Sequence, residues 1–164
     1  METVNSSSSK PDVGVILCDC GGALRDRMDW SVLRAELAAL PDVGTVEICG
    51  NLCRLDLCVE AFRRTVGSGL KRLVLGVCQP LAGLESYRKE LVAHAGINEG
   101  LAVCVGLREA MSGPGLDRAE AGRRAREALA AGVRRAATLK PIRSFIRRMD
   151  HDVAVLGAGA AGLK

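Results

Sequence analysis

Ten residues, Val13–Gly22, constrain this chain more than any other stretch. VGVILCDCGG is a short apolar run that breaks off in two cysteines and two glycines. Four aliphatic residues in a five-residue window fit a strand covered on both faces. Gly21 and Gly22 permit the sharp turn that follows. The same layout, an apolar run closing on a cysteine, recurs at Val43–Cys49 and at Leu73–Cys78. Strands covered on both faces belong to parallel sheets, and open α/β sheets bind ligands outside the carboxyl ends of their strands. Cysteine at three such ends is the main functional signal in the sequence.

The intervening segments carry helical periodicity. Asp29 is a good N-cap before Trp30, Leu33, Leu37 and Leu40, and Pro41 stops that helix. The stretch 51–69 places Leu55, Val59, Phe62 and Val66 on one face. Pro80 opens a third helix with Leu84, Tyr87 and Leu91 inward and Gly96 at its end. Leu101–Val105 reads as a fourth strand. Asp117 with Glu120 resembles a capping box ahead of a long helix to about Ala137, striped by Ala121, Ala125, Leu129, Val133 and Ala136. This alternation predicts a three-layer α/β domain over 12–137, with a mainly parallel four-stranded sheet and flanking helices.

Residues 1–11 read as a disordered tail, since METVNSSSSK lacks the apolar core of a secretory signal. Residues 138–151 read as a basic linker. Asp152–Leu156 then forms a new strand followed at once by Gly157, Gly159 and Gly162, the G-x-G-x-x-G dinucleotide fingerprint in its expected context. The chain stops two residues later, before the helix and the acidic residue that complete such a site. Residues 152–164 therefore read as the truncated start of a Rossmann-type FAD- or NAD-binding domain. On this reading the chain is the front piece of a longer protein and does not hold the cofactor alone.

With four aromatic residues, the core must be built from Leu, Val, Ile and Ala. No apolar run approaches the ~20 residues of a membrane helix. Seven cysteines without a signal peptide point to a reducing cytoplasm, where thiols serve as metal ligands, redox groups or core filler. Asp117–Arg148 carries ten Lys or Arg against three acids, so the remainder of the chain is slightly acidic. A basic stripe suits nucleic acid or an acidic partner, but no aromatic stacking platforms accompany the arginines, which favours a solvated helix face. His94 and His151 are the two histidines, and neither pairs with a nucleophile; His94 reads as a helix-end residue. No Ser-His-Asp, H-E-x-x-H or P-loop pattern is present.

Cys18 and Cys20 frame a strand-end turn from which two thiolates can reach one centre, and soft sulfur favours iron–sulfur or zinc. Cys49 closes the second strand, Cys53 lies where the following helix begins, and Cys78 closes the third strand. These five converge on one crevice if the sheet is parallel. Cys58, on the apolar side of its helix, and Cys104, inside a strand, read as buried small hydrophobes. Asp19 reads as a solvent-facing turn residue, with an oxygen ligand as the alternative. Trp30, at the head of a leucine stripe, reads as core. The cysteine spacing is neither a zinc-ribbon nor a ferredoxin pattern, so it names no metal.

Five segments together resemble the N-terminal portion of the heterodisulfide reductase A family (HdrA): VGVILCDCGG, the NLC of Asn51–Cys53, CQPLAGLESYR at Cys78–Arg88, LRE at Leu107–Glu109, and VAVLGAGAAGL. The family pattern runs C-x-C-G-G, M-C-S-D-P-G-Q, A-C-S-P-R-M-H-E-P-T-F-R, N-I-R-E-Q-C and G-G-G-I-A-G-L. Members are FAD-containing iron–sulfur proteins of cytoplasmic electron-transfer complexes. The resemblance implies Cys18, Cys20, Cys53 and Cys78 as ligands to a [4Fe–4S] cluster. It makes Gly157, Gly159 and Gly162 the start of an FAD site. It also implies other electron-transfer subunits as partners, and leaves homo-oligomerisation through the full-length protein open. Three departures stand out: Met111 occupies the position of the family cysteine after R-E-Q, 79–83 lacks the S-P-R-M-H segment, and 54–58 replaces S-D-P-G-Q. Cys49 is the nearest substitute ligand. The rival expectations are a non-catalytic subunit-docking module with structural cysteines, and a zinc or thiol-redox domain.

Overall fold

The computed structural model describes residues 12–67, 69–78, 89, 92, 93 and 96–143. Four strands, β1 (Val13–Cys18), β2 (Val43–Cys49), β3 (Arg72–Val77) and β4 (Ala102–Gly106), form one sheet in the order β2-β1-β3-β4. All three pairings are parallel. β1 is central and every one of its residues is buried, the outcome its unbroken apolar run implies. β2 lies at an edge and is buried only in part. The expected α/β architecture with a parallel four-stranded sheet is therefore the observed one.

Helix α1 (Trp30–Ala38) follows β1. Asp29 caps it, its carboxylate accepting from the N–H groups of Ser31 and Val32, and Leu33 and Leu37 enter the core. Trp30 packs partly buried against that core. Helix α2 (Leu55–Gly67) starts at the first residue of the expected apolar stripe, after residues 51–54 form a turn closed by the Arg54 N–H on the Asn51 carbonyl. A four-residue helix, α3 (Leu107–Ala110), continues directly from β4, and α4 (Arg118–Thr138) closes the described fold. Asp117 accepts from the N–H of Glu120 at 2.7 Å, so the cap forms. The Glu120 carboxylate turns instead to Arg123 and Arg124, which hold its pKa down to about 2.

The two sides of the sheet are covered differently. On one side, a Cβ on Gly132 of α4 would lie 2.8 Å from Val105 and 3.3 Å from Val74, so the missing side chain brings the helix down onto β3 and β4. All five residues of the expected α4 stripe are buried. On the other side, a Cβ on Gly14 would run into Thr65 of α2. Because side chains alternate along a strand, the face of β1 that carries Gly14 and Ile16 also carries Cys18.

Some expectations lie outside the described residues: the 1–11 tail, the body of the third helix with Leu84, Tyr87 and Leu91, the histidines, most of the linker, and the strand and glycines of 152–162. The end of that third helix is visible. Gly96 adopts φ +66°, its N–H bonding to Ala93 and that of Ile97 to Val92, a glycine C-cap as expected. Among the described residues no helix is long and apolar enough to cross a membrane.

Leu129 of α4 is fully buried, with a side-chain carbon 3.3 Å from the Cβ position of Gly76. Leu129→Ala is expected to lower the unfolding free energy by about 2–5 kcal/mol in urea titrations. Gly132→Val is expected to cost about 1–3 kcal/mol by wedging the helix off the sheet. A loss below about 1 kcal/mol at Leu129 would contradict this packing.

Candidate functional site

The strand order places a topological switch at β1: the chain leaves it for β2 on one side, and β3 lies on the other. The crevice at the carboxyl ends of β1 and β3 is where open α/β sheets take ligands. Cys18 ends β1, Cys49 is its register partner at the end of β2, and Cys78 is the residue after β3. Parallel pairing thus sets three cysteines on one rim, as the recurring strand-end pattern predicts.

The loop after β1 is tied to β2 and to itself. The N–H of Asp19 donates to the Cys49 carbonyl at 3.0 Å, and that of Gly21 donates to Gly50. Asp19 is buried rather than solvent-facing, which corrects the sequence reading. Its carboxylate accepts from Gly22 N–H at 3.1 Å and pairs with Arg25 Nε at 3.0 Å, while its carbonyl accepts from Gly22 and Leu24. This is the carboxylate turn that an Asp three residues before a glycine favours, a signal present in the sequence.

Three consecutive residues of that turn are left-handed: Cys20 at φ +57°, Gly21 at +63° and Gly22 at +93°. Two are glycines, but Cys20 is a side-chain residue in a conformation that costs about 1–2 kcal/mol. A glycine would relieve that cost; a cysteine retains a thiol.

Cys18 and Cys78 are buried, Cys20 is half-buried. The Cys18 sulfur accepts from the N–H of Leu52 at 3.4 Å and faces the Gly50 carbonyl at 3.8 Å. Cys78 lies near enough to Cys20 and Cys18 for both to act on its thiol electrostatically. Burial, then these neighbouring thiols, push its pKa up to about 12. Burial, with Cys18 and Cys58 close by, pushes Cys49 up to about 12 as well. Arg108 of α3 sends Nη2 to within 4.0 Å of the Cys20 sulfur, a neighbour that spacing did not reveal.

The structure therefore gathers Cys18, Cys20 and Cys78 at one rim and sets Cys49 beside Cys18 on the neighbouring strand. Cys53 lies exposed on the turn before α2, two residues ahead of the helix start. Cys58 is buried on the first turn of α2, near Cys49, whereas Cys104 is half-buried rather than buried and pairs with Leu75 midway along the sheet, away from the rim. Met111 is buried at the end of α3, its carbonyl bonded by Arg27 at 3.3 Å. Soft thiols gathered at one rim are the right donor chemistry for an iron–sulfur centre. Among the described residues, no three of His, Cys, Asp or Glu already form a metal cage. The rim is a converging set of thiols, and Cys53 would have to swing in to join it.

The basic stripe on α4 is partly neutralised within the fold. Arg123 pairs with Glu120 and Glu127, Arg124 with Glu120, and Arg126 reaches Glu36 of α1 at 3.6 Å. That pattern agrees with a solvated helix face.

No family model matches the chain. Curated relatives do. The chain is 27% identical over 164 residues to the A subunit of the H(2):CoB-CoM heterodisulfide,ferredoxin reductase of Methanothermobacter thermautotrophicus, covering 99% of this chain and 25% of that protein. It is 26% identical, over the same shares, to the protein of the same name from Methanothermobacter marburgensis. It is 27% identical over 154 residues to the A subunit of the Ferredoxin/F(420)H(2)-dependent CoB-CoM heterodisulfide reductase of Methanosarcina acetivorans, covering 93% of this chain and 19% of that protein. The likeness to the A subunit of heterodisulfide reductase runs through nearly the whole chain, which spans a quarter or less of the relatives' length.

In the metal-free chain, alkylation by iodoacetamide followed by mass spectrometry is expected to label Cys53 first and Cys18, Cys58 and Cys78 last, following exposure. Cys49 and Cys78 keep their protons to about pH 12, whereas unfolded thiols release theirs near ~8.5. Between those values the native state binds more protons. The metal-free chain should thus lose stability as pH rises above about 8.5 and show no such effect below it. Cys78→Ala should flatten that alkaline slope in denaturant titrations repeated across pH.

Proposed function

We propose that this chain is the cysteine-bearing α/β piece of a heterodisulfide reductase A-like FAD and iron–sulfur oxidoreductase. Cys18, Cys20, Cys53 and Cys78 are its ligands to a [4Fe–4S] cluster, with Cys49 as the substitute ligand. On this reading 12–137 is the thiol domain and 138–151 a linker. Residues 152–164 begin the FAD domain, with Gly157, Gly159 and Gly162 as the start of its cofactor site. The chain alone is not catalytic. It works in the cytoplasm beside other electron-transfer subunits of such a complex.

The observation that carries the reading is the placement of Cys18 and Cys78 at the carboxyl ends of neighbouring parallel strands, with Cys20 held left-handed in the turn after β1. A cluster bound there would supply one-electron transfer. The chain's own groups do the rest. The Asp19 carboxylate fixes the turn that presents Cys20, the Leu52 N–H donates to the Cys18 sulfur, and the buried strands β1 and β3 form the floor beneath the rim. Binding must also displace thiol protons, including one from Cys78 that burial makes hard to release, so uptake is favoured by higher pH.

The exposed position of Cys53 and the methionine at 111 favour one second reading, a docking module whose cysteines only pack. The two separate cleanly. After anaerobic reconstitution with iron and sulfide, the proposed site binds iron, and Cys20→Ser and Cys78→Ser each lower the iron content while Cys58→Ala does not. Unchanged iron in both serine variants would sink the ligand assignment. Cys20→Gly is the sharper variant. It should stabilise the metal-free chain by about 1 kcal/mol through relief of the left-handed residue, yet still reduce iron. A packing role predicts a loss of stability instead.

A further inference from the structure

Beside the thiol rim, a cleft of about 340 Å³ opens between the loop after β1 and the segment that follows β4. Its lining is Ala23, Leu24, Arg27, Arg108, Met111 and Ser112. Leu24 and Met111 are buried and give it an apolar floor. Arg27 and Arg108 are exposed on its walls, one from each segment. Their known contacts are the Met111 carbonyl, at 3.3 Å from Arg27, and the Cys20 sulfur, at 4.0 Å from Arg108. Among the described residues neither guanidinium pairs with a carboxylate, unlike Arg25, Arg63, Arg64, Arg123 and Arg124.

We propose that this cleft binds a small amphipathic oxyanion, its head held between Arg27 and Arg108 and its short apolar body laid on Leu24 and Met111. Two like charges facing one cleft repel each other, and an anion between them converts that repulsion into two charge-assisted contacts. Each guanidinium has further N–H donors beyond the one already used. The Ser112 hydroxyl donates to the Glu109 carbonyl at 2.8 Å, so the head group relies on the arginines. The Glu109 carboxylate folds back toward Gly106 and does not line the cleft. The volume is at the small end of ligand pockets, about 300–1,000 Å³, which suits a small molecule rather than a protein segment. The cleft also shares the carboxyl edge of the sheet, where such folds take ligands. The proposal does not require a cluster at the cysteines, although Arg108 also neighbours Cys20.

Trp30, the single tryptophan, donates its indole N–H to the Leu24 carbonyl at 3.1 Å and so reports on the cleft wall. The full chain is titrated with inorganic phosphate and, separately, with butyrate, against sodium chloride at matched ionic strength. Trp30 fluorescence and calorimetry are read together. A saturable response above the chloride control is expected. Arg27→Gln and Arg108→Gln should each weaken it about tenfold or more, and Arg63→Gln, on α2, should leave it unchanged. Tighter phosphate binding assigns the affinity to the head group; tighter butyrate binding assigns it to the apolar floor. Absence of saturation by both methods, or binding that survives both cleft substitutions, overturns the proposal.

Discussion

The whole arrangement depends on β1 being hydrogen-bonded in parallel to a neighbour on each side. A strand so placed has no free edge and no exposed face, and all six of its residues are buried. Parallel pairing also obliges β1, β2 and β3 to end on the same side of the sheet. Residues that are distant in sequence but alike in position, the ones just past an apolar run, are thereby collected on one rim. Cys18 faces Cys49 across a ladder, and Cys78 comes up beside Cys18 and Cys20.

A second constraint shapes what the rim presents. The Asp19 carboxylate is almost wholly removed from water and is kept there by Gly22 N–H and Arg25. A buried carboxylate without such partners would be strongly unfavourable. Its two contacts fold the chain back on itself and require three left-handed residues in a row, one of them Cys20. The conformational strain at Cys20 is thus stored by the same interaction that aims its sulfur at the rim. Arg108 then brings a positive charge next to that sulfur from the far end of β4.

Much of this was legible in the order of residues. The four strands, the Asp29 and Asp117 caps, the glycine cap at Gly96 and the small-residue stripe of α4 all follow from local rules: apolar runs, capping side chains, and the 3.6-residue period. The burial of Cys58 followed from its place on the apolar side of α2, and the setting of Cys104 away from the rim from its place within a strand. Local rules fell short where they met a tertiary partner. The turn before α2 bonds to the end of β1 through the Cys18 sulfur, a contact no local pattern shows. Asp19 turned inward because Arg25 and Gly22 were there to receive it, although the spacing of Asp19 and Gly22 carried a hint.

By itself the sequence determined that this chain makes a parallel α/β sheet and that cysteines terminate its strands. Those features are written in side-chain periodicity, which needs only near neighbours along the chain. The tertiary structure alone decided how the thiols are set: Cys78 near Cys18 and Cys20, Cys49 beside Cys18 on the next strand, and Cys53 exposed. It alone decided, too, that Arg27 and Arg108, separated by most of the domain in sequence, face one cleft. Such pairings depend on strand order and on the path of loops in space, and a one-dimensional pattern holds neither.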